Sequence, residues 1–72
     1  MLEVSKEDIN FLKEHIDNVD ELIQNDSRKP LLRAVYDIIM YKGFDEEYEY
    51  NSFGEKAQDV YDRILDDNYD KP

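Results

Sequence analysis

Ser27-Arg28-Lys29-Pro30-Leu31-Leu32-Arg33-Ala34-Val35-Tyr36-Asp37-Ile38-Ile39-Met40-Tyr41-Lys42-Gly43-Phe44 is the stretch that decides the fold. Leu31, Leu32, Ala34, Val35, Ile38 and Ile39 leave little polar surface over 28–42, which predicts a central, largely buried helix. Ser27 can cap it, and Pro30 falls in the first turn, where no intrahelical N–H is needed. Gly43 fits the left-handed position that ends a helix, with Phe44 as the apolar residue that follows in a Schellman ending.

Upstream, Ile9, Leu12, Ile16, Val19 and Ile23 recur at three- and four-residue steps and predict a first helix over about 6–24. Ser5 is a suitable N-cap with Asp8 at the third helical position, and Val4 with Ile9 has hydrophobic-staple spacing. Asn25, Asp26 and Ser27 end the helix, because their side chains compete for backbone hydrogen bonds. Downstream, Ser52 and Glu55 form a capping box ahead of a third helix over 53–66. Its stripe is Phe53, Ala57, Val60 and Ile64, with Tyr61 and Leu65 beside it. Residues 67–72 read as a frayed polar tail. Between the second and third helices, Asp45-Glu46-Glu47-Tyr48-Glu49-Tyr50-Asn51 alternates too briefly for a sheet and reads as an extended acidic and tyrosine-bearing loop. The expected fold is therefore all-α: one domain over residues 1–72, a compact three-helix bundle.

Composition narrows the function. The chain has 72 residues and no cysteine, so no disulfide framework holds it together. Domains this small bury only ~60% of the surface of the unfolded chain, which makes a homodimer attractive. A single histidine, His15, and no thiol argue against zinc, and His15 reads as a boundary residue of the first apolar stripe. Asp66, Asn68 and Asp70 imitate the start of a calcium loop, but Lys71 stands where that loop needs glycine. No metal or other cofactor is expected. No signal-peptide pattern or membrane-length apolar run is present, and a cytoplasmic setting is expected.

Hydrophobic residues make up 40% of the chain, enough for a core, while the formal net charge is −10. Such a field repels nucleic acid and anionic membranes and attracts basic partners. The charge is segmented: −5 over residues 1–24, +3 over 27–42 and −7 over 45–72. The basic trio Arg28, Lys29 and Arg33 opposes the helix dipole; pairing with Asp17, Asp20, Glu21 or Asp26 is the expected relief, and phosphate contact the alternative.

Glu55, Asp59, Asp62 and Asp66 follow at steps of four, three and four, which lines four carboxylates along one face of the third helix. Like charges at this spacing cost a few tenths of a kcal/mol each, and Asp66 also faces the negative end of the dipole. Breaks of local rules of this kind mark functional surfaces, although Lys56 and Arg63 on the flank offer relief and an ordinary solvated face has the same pattern. With the loop residues Asp45, Glu46, Glu47, Tyr48, Glu49 and Tyr50, this line is the candidate partner-binding surface. Tyrosine among acids suits contact with arginine and lysine, unless Tyr48 and Tyr50 fold back to seal the core. No nucleophile, glycine-rich phosphate loop or cleft-forming pattern points to catalysis, and no enzymatic activity is expected.

Tyr41-Lys42-Gly43-Phe44-Asp45, followed by Phe53-Gly54-Glu55-Lys56-Ala57-Gln58-Asp59-Val60-Tyr61-Asp62, resembles small uncharacterised acidic helical proteins encoded by prophages of Gram-positive bacteria. The resemblance covers the C-terminal half. It implies a small accessory or host-modulating protein and transfers no functional residue. In general character the chain is also similar to acidic helical inhibitors such as nuclease immunity proteins, with no shared motif. The expectation is an acidic protein-binding module that occupies the basic surface of a nucleic-acid-binding protein. The alternative is a homo-oligomeric structural or accessory protein whose acids serve solubility alone.

Overall fold

The structure, a computed structural model, describes residues 1–44, 46–47, 49 and 51–71. Ser5 starts the first helix as its spacing predicts: its Oγ accepts a hydrogen bond from the Asp8 backbone N–H at 3.2 Å. Among the described residues four helices follow in order, α1 (Lys6–Lys13), α2 (Val19–Gln24), α3 (Lys29–Lys42) and α4 (Ser52–Asp67).

The described residues are thus all-α, and the single helix expected over 6–24 is two helices, so that four helices stand where three were expected. The chain leaves α1 through a tight turn in which the N–H groups of both His15 and Ile16 donate to the Leu12 carbonyl. Asn18 (φ −109°, ψ 35°) then starts α2. The break falls on His15, Asp17 and Asn18, all weak helix formers, interleaved with β-branched Ile16 and Val19. An unbroken helix of this span would run roughly 28 Å, beyond the roughly 21 Å of α3. Breaking it keeps Leu12, Ile16, Val19 and Ile23 all buried.

The turn into α3 is held by side chains. Asn25 Oδ1 accepts from the Ser27 N–H at 3.0 Å, and Ser27 Oγ accepts from the Lys29 N–H at 3.3 Å. Leu31, Leu32, Val35 and Ile39 enter the core, but the helix is not buried all round: Tyr36, Met40 and Tyr41 are exposed.

Helices α3 and α4 form a hairpin across the connection 43–51, with Ala57, Val60 and Ile64 supplying the α4 side of the core. Gly43 does not take the expected left-handed conformation; its φ is −83° and ψ −3°. Glycine is needed there for closeness instead. A Cβ on Gly43 would sit 3.1 Å from the Gly54 Cα and collide with the Ile39 carbonyl oxygen; one on Gly54 would strike the Gly43 backbone. The N-cap of α4 is Asn51, one residue earlier than the expected Ser52. Asn51 Oδ1 accepts from the Gly54 N–H at 2.7 Å, while its Nδ2 donates to the Lys42 carbonyl at 2.8 Å. One side chain therefore satisfies the start of α4 and the end of α3 together.

Of the frayed tail expected over 67–72, Asn68 and Lys71 are instead anchored, and Pro72 lies outside the described residues. Asn68 is fully buried. Its Nδ2 donates to the Glu3 carbonyl at 2.8 Å and the Ile64 carbonyl at 2.9 Å, and its Oδ1 accepts from the Glu3 N–H at 2.7 Å. Lys71 Nζ donates to the Met1 carbonyl at 2.7 Å. On the other side of this N-terminal segment the Leu2 N–H donates to the Ile23 carbonyl, and the Leu2 side chain is buried. Residues 1–3 are thereby held between the ends of α2 and α4. Among the described residues no helix is long and apolar enough to cross a membrane.

Candidate protein-binding surface

The core face of α4 passes through Ala57, Val60 and Ile64, so residues on the opposite side point to solvent. Glu55, Asp59, Asp62 and Asp66 are all exposed. They span roughly 16 Å of helix. Their 4-3-4 spacing in sequence becomes a line on the surface.

The two cations of α4 make their direct contacts with α1, although the Arg63 charge still acts on Asp59 from one turn away. Arg63 turns to α1 and grips Asp8 with both arms, Nε donating to Oδ2 at 2.9 Å and Nη2 to Oδ1 at 2.8 Å. Lys56 also turns to α1, its Nζ 5.0 Å from the centre of the Phe11 ring, within cation–π range. Asp62 accepts a hydrogen bond from Gln58 Nε2 at 3.1 Å, which brings no charge. Among the described residues, none of the four acids forms an ion pair.

The Asp8–Arg63 pair is the polar link between α1 and α4. Asp8 is buried and Arg63 about half exposed. The hydrogen-bonded guanidinium holds the Asp8 carboxyl below the ordinary carboxylate range, against the opposing effect of burial, and Asp8 raises Arg63 in turn. Glu7, Asn10, Phe11, Glu14 and Lys56 line an open groove around this pair. Beside it Phe11, His15 and Phe53 stack: the His15 ring lies 5.2 Å from Phe11 and 4.7 Å edge-on to Phe53. His15 thus completes an aromatic cluster, in keeping with a boundary role. Local periodicity carries no trace of the Asp8–Arg63 pair, because the two residues lie far apart in the chain. The only hint was an aspartate on the inner side of a helix.

Of the loop residues, Glu46, Glu47 and Glu49 are exposed. Asp45, Tyr48 and Tyr50 lie outside the described residues. The basic trio does not pair as expected with the acids near the end of the first apolar stripe. Arg28 Nη1 donates to the Asn68 carbonyl at 3.2 Å, and Arg33 Nε lies 3.7 Å from Asp37. Asp20 meets Lys13 and Asp26 meets the N-terminal ammonium, so those acids have other partners.

No family model matches the chain. Neither a curated protein nor a solved structure matches it either. The functional reading therefore rests on the surface itself.

Proposed function

We propose that this protein is an acidic protein-binding module whose α4 face, with the acidic loop beside it, covers a basic surface of a nucleic-acid-binding protein and so inhibits or modulates it. The observation that carries this reading is the carboxylate line Glu55, Asp59, Asp62 and Asp66, exposed while Lys56 and Arg63 are committed to α1. Four acids at helical spacing repel one another, and none of them has a direct ion pair among the described residues. A basic partner would relieve that repulsion, and the −10 net charge would steer the two together.

The test is capture from a cell lysate on immobilised protein, in parallel with a Glu55→Gln, Asp59→Asn, Asp62→Asn, Asp66→Asn variant. The reading expects a basic, nucleic-acid-binding protein that is retained by the wild type, lost with the amide variant, and released by added duplex DNA or by moderate salt. Retention that is indifferent to the amides and to salt overturns it, because a contact made by exposed charges must be screened.

A further inference from the structure

Arg63 has carboxylates within reach on two helices. On its own helix it stands four residues after Asp59, three before Asp66 and four before Asp67. Side chains at these steps are surface neighbours, and an acid four residues N-terminal to a base is the favoured order. Taken by itself, α4 would pair Arg63 with Asp59. In the folded protein the guanidinium instead donates two hydrogen bonds to Asp8 of α1, at 2.9 and 2.8 Å. The Asp8 side chain is 8% exposed and that of Arg63 52%. A two-bond contact to a sheltered carboxylate outcompetes an exposed pair one turn away, which screening and side-chain freedom weaken. Lys56, three residues before Asp59, is drawn to α1 in the same way, over the Phe11 ring.

We infer that Asp8 is a positioning residue for the α4 face: by drawing Arg63 across to α1 it leaves Asp59 and Asp66 without a direct counter-ion, so the seating of α1 sets how strongly the line attracts a cation. Asp8 is itself buried, and its effect on the exposed line passes through Arg63. Loss of the contact turns Arg63 back along α4 and neutralises part of the line from within. The cause rests on the Asp8–Arg63 geometry alone; the consequence rests on the reading of the α4 line as a face for a basic partner.

Nuclear magnetic resonance and the binding of an oligo-lysine peptide test this on wild type, Asp8→Ala, Asp8→Ala/Arg63→Met and Glu21→Gln. Glu21 is exposed on α2, and its loss changes the net charge as Asp8→Ala does. Circular dichroism reports whether each keeps its fold; should Asp8→Ala lose it, the isosteric Asp8→Asn replaces it in both arms. Cross-peaks of the Arg63 Nε–H are expected to the Asp8 β-protons in wild type and to those of Asp59 in Asp8→Ala. Peptide affinity of Asp8→Ala is expected to fall about threefold below that of Glu21→Gln. The double variant has the wild-type net charge and no Arg63 to turn back, and is expected to return to the wild-type affinity. A merely structural role for Asp8 would leave it as weak as Asp8→Ala. An Arg63 that stays off Asp59 when Asp8 is replaced overturns the inference and leaves the reading of the line standing. An Arg63 that moves while affinity stays at the Glu21→Gln level overturns both, and a double variant without recovery overturns the inference.

Discussion

Gly43 and Gly54 meet backbone to backbone where α3 ends and α4 begins, so closely that a Cβ on Gly54 would strike the Gly43 main chain. In an exposed helix Gly→Ala stabilises by about 1 kcal/mol. At Gly54 the sign is expected to reverse, because the hairpin must open to admit the methyl group. A loss of about 2–3 kcal/mol is expected in urea unfolding of Gly54→Ala. An unchanged or raised midpoint would mean that the two helix ends are not in contact.

Asn51 serves two helices and Ser52 serves neither through its side chain among the described residues. Asn51→Ala is expected to destabilise by about 1–2 kcal/mol, and Ser52→Ala by less than about 0.5 kcal/mol. The reverse order would return the cap to Ser52.

Asp8 bears on acid stability. A carboxyl held below its ordinary range by Arg63 contributes stability that is fully present above about pH 4 and is lost as pH falls through its depressed folded-state value. Asp8→Asn is expected to lower stability at pH 7 by about 1–2 kcal/mol, a modest figure because Arg63 is half exposed. The gap between variant and wild type should close in acid below about pH 4. Urea midpoints of both proteins at pH 7 and in acid check the trend, and a gap independent of pH would contradict the ion pair.

Asp66 lies in the last turn of α4, next to like charges and at the negative end of the dipole. Asp66→Lys is expected to raise stability by about 0.5–1 kcal/mol while weakening capture of a basic partner. Thermal unfolding and the capture assay together check both halves. A variant that is both more stable and equally well retained would leave the acid without a binding role.

The parts of this fold that were legible in sequence are those settled within a turn or two of chain. Ser5 as a cap, Pro30 in a first turn and the exposure of Glu55, Asp59, Asp62 and Asp66 all follow from short-range spacing. The break between α1 and α2 escaped because the apolar spacing reads continuously across it, through Ile16, Val19 and Ile23. The weak helix formers His15, Asp17 and Asn18 were the available signal, and periodicity outweighed them. Asn68 gave no signal at all, since a polar residue near a chain end reads as solvated until its distant partner Glu3 is known. The orientation of Lys56 and Arg63 was hidden for the same reason: α1, not α4, decides which way they turn.

The Glu3–Asn68 clasp also has a bearing on the order of folding. The α3–α4 hairpin closes a short loop, whereas the clasp joins residues 65 apart in sequence. Loop closure over that distance gains its reward late, so the hairpin is the natural nucleus and the clasp forms after the main barrier. Asn68 is then a latch in kinetic terms: removing it should leave the refolding rate nearly unchanged and shorten the lifetime of the folded state.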